Sequence, residues 1–338
     1  MPSDQDIAGS LDRLHRQLMD TRAMEPGAIA VAVQRLHEMR NSTPDWRSLV
    51  DRCIGRHPVV DWLRQCPLTN RAACRPGAPG DNADFIDLIY DTMPSPAGFS
   101  TADAIYAYTS SSAACRAVRY RRHRIADLID TVANQATQRG RASIRVLSVA
   151  AGRARELLLS SAFRTGLVSE FVALEADRRS LDELRGAMPG FATRITCVQS
   201  DIHAVLHPTL DWGRFDLIYC AGLYDYLTES VARRLTRELF ELLAAGGVLL
   251  YANFAEGIVE AGYMEAVMDW WLTLRSERQA IGLAQDALQG RPSLLRFYQD
   301  PGQQIHFVEL RRHDMAPLVP SSPCNAQDLQ FSDPCAMH

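Results

Sequence analysis

No two cysteines of the 338-residue chain stand in a C-x-x-C pair, and no cysteines and histidines cluster at metal-ligand spacing. Zinc ribbons, iron–sulfur ligand sets and thioredoxin-type redox motifs are thereby excluded, no metal is expected, and the eight scattered cysteines read as reduced thiols, several of them buried. Basic charge is not in excess either: 36 Lys and Arg against 40 Asp and Glu leave a net charge of -4, which gives no electrostatic footprint for nucleic acid or an anionic membrane. Residues 1–18 lack the apolar core of a signal peptide, and no apolar run is long enough to span a bilayer. The expectation is a cytoplasmic protein, monomer or homodimer, that acts on a small molecule. Missing as well is any Ser/His/Asp or Cys/His constellation for nucleophilic catalysis.

What is present centres on residues 144–177. Residues 144–149 (IRVLSV) are short, β-branched and nearly continuous in apolar side chains, as a strand buried on both faces requires. Ala150, Ala151 and Gly152 follow at once, and residues 154–159 (ARELLL) predict a helix whose free N–H groups would point at whatever sits over the turn. A second strand at 170–174 ends in Glu175-Ala176-Asp177, so a carboxylate arrives 23 residues after Gly152, at the spacing that places an acid beside a ribose diol. A nucleotide-binding turn would offer alternate glycines, yet positions 150, 152 and 154 hold Ala, Gly and Ala. An ordinary βαβ crossover with an acidic surface residue reads these positions equally well.

The first hundred residues show helical periodicity and no strand. Ile7, Leu11, Leu14 and Leu18 recur at helical spacing, and a second helix over 28–39 is broken by Ser42-Thr43-Pro44. The segment 75–81 (RPGAPGD) predicts an irregular loop ending in Gly80-Asp81. A long helix over 110–138 carries Arg116, Arg119, Arg121, Arg122 and Arg124, read for the most part as a solvated face. From residue 144 strands alternate with helices: 195–199, 215–220 and 248–253 complete five, with an amphipathic helix from Thr228 between the last two. Strands at 293–298 and 305–310 are joined by QDPGQQ, turn chemistry too short for a helical crossover, so the last strand must run antiparallel to its predecessor.

The predicted architecture is therefore α/β, a doubly wound, mostly parallel seven-stranded sheet with an antiparallel last strand and a helical N-terminal cap. It divides into a cap or lid (1–140), a sheet domain (141–312) with a helical insertion over the pocket (255–292), and a loose tail (313–338).

Over residues 141–312 the chain resembles the class I methyltransferases that use S-adenosylmethionine. In that resemblance Ala150-Ala151-Gly152 takes the place of the glycine-rich turn, and Glu175, with Ala176 and Asp177, that of the ribose-binding acid. Asp201 and Ile202 stand where the adenine amino group and ring are held, and Cys220-Ala221, leading into GLYDYL, where cofactor and substrate meet. The N-terminal helices with their Gly80-Asp81 loop, the phrase CAGLYDYLT and the segment MEAVMDWW (264–271) are similar to a narrower bacterial subgroup. Its members make methyl esters of hydroxy fatty acids or S-methylate free methionine. The subgroup carries an aromatic residue two before the Gly-Asp pair, where this chain has Ala78.

The resemblance implies S-adenosylmethionine as cofactor and a small metabolite as acceptor. A methyl sulfonium is already electrophilic, so the protein has chiefly to align a nucleophile and exclude water, and a thioether or carboxylate nucleophile needs no base. Tyr224 and Tyr226 are the candidates to line the transfer site; Asp81, Tyr224, Asn253, Trp270 and Arg275 are the candidates for substrate contact, with Asp81 and Arg275 holding an ammonium and a carboxylate. His203 is the residue most like a base, though it reads more simply as flanking the next helix. The preferred acceptor is the thioether of methionine. Methyl-ester formation on a hydroxy fatty acid is the alternative, and a degenerate methyltransferase fold serving as a scaffold is the non-enzymatic one.

Overall fold

The computed structural model describes residues 4–20, 26–74, 83–91, 100–207, 211–289, 291 and 293–313. The Gly80-Asp81 loop, with Ala78 and the candidate Asp81, and the tail beyond His313 lie outside the described residues.

Among the described residues eight α-helices precede the sheet: α1 (Asp4–Asp20), α2 (Pro26–Ser42), α3 (Trp46–Arg52), α4 (Pro58–Leu63), α5 (Pro67–Ala73), α6 (Ala83–Tyr90), α7 (Thr101–Ser110) and α8 (Ala113–Gln138). The stripe Ile7, Leu11, Leu14 and Leu18 is buried along α1, as its spacing predicts. Then β1 (Ile144–Val149), α9 (Ser161–Thr165), β2 (Val168–Glu175), α10 (Arg178–Ala187), β3 (Ile195–Gln199), α11 (His203–Leu206), β4 (Phe215–Cys220) and α12 (Glu229–Glu241) alternate. The chain closes with β5 (Leu243–Phe254), α13 (Ala261–Ala266), α14 (Glu277–Ala287), β6 (Ser293–Gln299) and β7 (Ile305–Arg312).

All seven strands join one sheet in the order β3-β2-β1-β4-β5-β7-β6. The first five are parallel, while β7 runs antiparallel both to β5 and to its hairpin partner β6. Strands β1 and β4 are central and almost wholly buried, which is why they read as unbroken apolar runs. The order reverses between β1 and β4, and in such sheets the crevice beyond the carboxyl ends of the strands at that reversal is where ligands bind.

Two apolar cores lie on the two faces of the sheet. One is shared by α12, α14 and residues such as Leu147, Ile218 and Tyr251; the other joins the N-terminal helices to Val146, Tyr219, Leu250 and Phe307. Helix α8, assigned by sequence to the cap, packs on β1, β4 and β7 and so forms part of the layer covering the sheet. The expected insertion over 255–292 also divides: α14 packs against α12 and β7, whereas α13 docks on α2.

That docking is close. A Cβ on Gly262 would lie 2.5 Å from the carbonyl oxygen of Leu36 and 2.9 Å from the amide nitrogen of His37, so only glycine lets the two backbones meet there. Around it Glu265 accepts from Arg40 Nε at 2.6 Å, Arg40 Nη2 at 3.0 Å and Trp46 Nε1 at 2.7 Å, and Arg64 Nε donates to the carbonyl of Val267 at 2.8 Å. Among the described residues no helix is long and apolar enough to cross a membrane.

Candidate functional site

The turn after β1 adopts the backbone of an alternate-glycine motif without its glycines. Ala150 (φ 55°), Gly152 (φ 53°) and Ala154 (φ 42°) are all left-handed, so two alanines hold conformations that glycine adopts freely. In place of the helix predicted over 154–159, the chain forms a short 3-10 turn over Arg155–Leu158 and then α9, because the left-handed Ala154 immediately before it breaks the continuity. A left-handed alanine costs about 1–2 kcal/mol, and glycine in its place gives back roughly 0.4–1 kcal/mol through the freer unfolded chain. Ala150→Gly and Ala154→Gly are therefore expected to stabilise the fold by about 0.5 kcal/mol each, and Gly152→Ala to destabilise it by about 1 kcal/mol, as read from denaturant midpoints.

Glu175 closes the turn from the end of β2. Its buried carboxylate accepts from the N–H of Gly152 at 2.7 Å and from that of Asp177 at 3.0 Å, one bond to each oxygen, which leaves lone pairs on both for a further donor. Burial raises its pKa, partly opposed by the N–H donors of Asp177, Gly152 and Ala176. Ala176 is exposed, and Asp177 caps α10 by accepting from the backbone of Arg179 and Ser180. Asp201, more than half exposed beyond β3, accepts from the N–H of His203 and contacts its Nδ1 at 2.9 Å; Ile202 beside it packs on the core.

Between the turn and the end of β4 opens a cavity continuous with solvent. Ala150, Ala151, Gly152 and Glu175 form one wall, Ala221, Gly222, Asp225 and Tyr226 the opposite one, and Phe254 and Trp270 close an end. Trp270 Nε1 donates to the hydroxyl of Tyr226 at 2.8 Å. Helix α6 also lines the cavity, contributing Ile86, Asp87 and Tyr90. It is fastened to the turn by Arg153, paired with Asp84 and Asp87, and by Arg155, which bonds Asp87 at 2.9 Å and Asp91 at 2.7 Å. Burial alone would raise the Asp84 carboxyl; Arg153, then Arg179 and Arg71, outweigh it and hold the group below its ordinary value.

Three buried charges in the cavity wall were not singled out from sequence. Glu156 accepts from the hydroxyl of Tyr219, and burial raises its pKa. Asp225 Oδ1 accepts from the N–H of Phe254 at 2.7 Å and from Asn253 Nδ2 at 2.9 Å, while Oδ2 faces Arg121 Nη1 at 4.0 Å. Burial pushes the Asp225 carboxyl up to about 7 against the opposing charges of Arg121 and Arg275. An acid raised on folding favours the folded state in its protonated form, so it lowers stability as pH climbs from about 4 to about 7. Denaturation at a series of pH values is expected to show that decline, and Asp225→Asn to flatten it. Arg121 lies on the apolar stripe of α8 with Ala117, Val118, Ile125 and Leu128, and so is an exception among the arginines that were read for the most part as a solvated face. That interruption of the stripe by an arginine was the available signal.

Several predicted contacts fall elsewhere. Tyr224 is fully buried behind the cavity wall, its ring stacked on Tyr251 at 4.2 Å and its hydroxyl 2.7 Å from Thr236 Oγ1, so it cannot line a transfer site. Arg275 is likewise buried and spent on structure: it bonds the carbonyls of Tyr224 and Leu227, each at 2.7 Å, and the side chain of Asn253. Asn253 in turn donates to Asp225 and to the carbonyls of Phe254 and Thr273. Neither lines the cavity. The Cys220 thiol points into the core, and His203 does not reach the cavity. Among the described residues no three His, Cys, Asp or Glu side chains gather as metal ligands.

No protein-family model and no curated protein matches the chain. Among solved structures it is similar to a protein of Bordetella parapertussis described as a possible exported protein, at 16% identity over 80% of this chain and 99% of the other, with a TM-score of 0.55. Weaker similarity reaches magnesium protoporphyrin IX methyltransferase from Synechocystis with bound SAH (13% identity, 60% and 87% coverage, TM-score 0.42). It also reaches an N-methyltransferase from Bradyrhizobium japonicum in complex with S-adenosyl-L-homocysteine (15% identity, 57% and 87% coverage, TM-score 0.38). At these identities the likeness is one of fold.

Proposed function

We propose that this chain is an S-adenosylmethionine-dependent methyltransferase acting on a small metabolite. The observation that carries the reading is the cavity at the reversal of strand order, with the left-handed turn at 150–154 on one side and a buried acid, Glu175, at the end of the neighbouring strand. The residues fit such a cofactor: Glu175 keeps lone pairs for two ribose hydroxyls, Asp201 stands exposed beyond β3 for the adenine amino group, and Tyr226 and Trp270 offer ring faces to a sulfonium. When bound, the cofactor supplies an electrophilic methyl group. The chain's part is to orient the acceptor, and α6, Trp270 and Tyr226 line the space from which bound cofactor and acceptor would displace water. Calorimetric titration with S-adenosylmethionine, followed by a labelled-methyl screen of amino and hydroxy acids, tests the reading; no cofactor binding would leave only the scaffold alternative.

On this reading the N-terminal helices act as a cover built on the sheet, because they share one core with it. The ion pairs of Arg153 and Arg155 hold α6 shut, so cofactor release in stopped-flow experiments is expected to quicken several-fold between low and high salt. Asp87→Asn, which weakens both pairs, should be fast at every salt concentration.

For the acceptor, the thioether of methionine remains the preferred substrate, with its carboxylate assigned to a residue other than Arg275. One observation favours a second reading. Behind Trp270 lies a small, mostly apolar cavity lined by Leu68, Phe85, Met264 and Met268, which would have to widen to take the chain of a hydroxy fatty acid. Formation of S-methylmethionine or of a methyl ester from labelled cofactor separates the two.

A further inference from the structure

We propose that Arg121 anchors a ligand carboxylate in the cavity. The proposal rests on the methyltransferase reading for its ligand, but its geometry stands independently. Arg121 is 6% exposed, lines the cavity, and makes no hydrogen bond among the described residues. Its nearest countercharge, Asp225 Oδ2, is 4.0 Å away, beyond hydrogen-bonding reach, and Nε is both buried and unpartnered. A guanidinium carries five N–H donors in a planar fork, and burying them without acceptors is costly unless a ligand supplies the oxygens. Of the neighbouring arginines, Arg119 bonds the carbonyls of Ile89 and Ser110 and Arg124 bonds Glu309, while Arg122, whose Nε is also buried without a partner, lies over the ring of Tyr90 and does not line the cavity.

Room for the fork is built into the opposite wall. A Cβ on Gly222 would come within 3.2 Å of Arg121 Nη1, so glycine at 222 lets the guanidinium lie flat against the loop after β4. A planar carboxylate matches that fork with two parallel bonds, which a single neutral acceptor cannot. Asp225 Oδ2, left open beside it, can accept from an ammonium or hydroxyl on the same molecule, so the pair selects small acids that carry a donor near the carboxylate.

Such a carboxylate belongs either to the acceptor or to the amino-acid end of the cofactor, and two titrations distinguish them. Wild type and Arg121→Gln are titrated with S-adenosylhomocysteine and with methylthioadenosine, which lacks the amino-acid end. Methionine and 3-hydroxybutyrate, each beside its methyl ester, are then titrated into the S-adenosylhomocysteine complex. If the acceptor is anchored, the free acids bind wild type at least tenfold better than their esters, and Arg121→Gln erases the difference while both nucleosides bind as before. If the cofactor is anchored, Arg121→Gln weakens S-adenosylhomocysteine at least tenfold and leaves methylthioadenosine unchanged. Unchanged binding of every probe overturns the proposal. Failure of both nucleosides to bind wild type overturns the methyltransferase reading instead, and the free acids can then be titrated into the protein alone. Should Arg121→Gln fail to fold, Arg121→Lys keeps the charge and loses the fork, and carboxylate affinity equal to wild type in that folded variant overturns the two-bond geometry.

Discussion

Gly262→Ala is expected to lower stability by about 3 kcal/mol, near the upper end of what one added methyl costs in a packed interior. The new carbon would lie 2.5 Å from the Leu36 carbonyl oxygen and 2.6 Å from its carbon, which are backbone atoms of a helix and cannot rotate aside. The helices must part, and with them the bonds of Glu265 to Arg40 and Trp46 lengthen, exposing a partly buried acid to loss of its partners. Thermal denaturation followed by circular dichroism measures the loss. Gly282→Ala, in α14 where a Cβ meets nothing within 4 Å, is the control and should be neutral or slightly stabilising. Equal midpoints for the two variants would show that α13 does not sit against α2 as described.

The second large effect is on cofactor binding. On the proposed reading, Glu175→Ala removes the acceptor for two ribose hydroxyls and also releases the N–H of Gly152, so affinity for S-adenosylmethionine should fall by roughly 3 kcal/mol, more than a hundredfold. Glu175→Gln keeps one oxygen for an N–H donor and should fall between. Asp201→Ala is expected to cost less, about 1 kcal/mol, because that carboxylate is more than half exposed and water screens what it offers. Calorimetry on folded variants gives all three; wild-type affinity in both alanine variants would remove the cofactor from this cavity.

The sheet was legible because its central strands are buried on both faces and therefore spell themselves out, and because QDPGQQ permits a hairpin and nothing longer. The turn was legible through the spacing from Gly152 to Glu175, though not its backbone: nothing in the letters of Ala150 or Ala154 announces a positive φ. Side-chain direction was the weak point. In the 3-10 turn Leu223–Tyr226, Leu223, Asp225 and Tyr226 line the cavity while Tyr224, between the first two, is turned into the core. A motif match at residue resolution cannot make that choice. Arg275 was taken for a substrate ligand on its charge and its place one turn beyond Trp271, yet its backbone bonds Phe254 and Glu256 as an isolated bridge partner of Ala255, and its guanidinium donates to the carbonyls of Tyr224 and Leu227 in the irregular segment 222–227.

The contact between α2 and α13 also bears on the order in which the protein can be finished. Residues 36 and 262 are far apart in the chain, so during synthesis α2 leaves the ribosome long before the segment that receives it exists. Translation at about 5–20 residues per second makes that interval at least on the order of ten seconds. Until Gly262 and Glu265 emerge, Arg40 and Trp46 wait without their acid, and the surface of α2 meant for α13 is open to any other chain nearby.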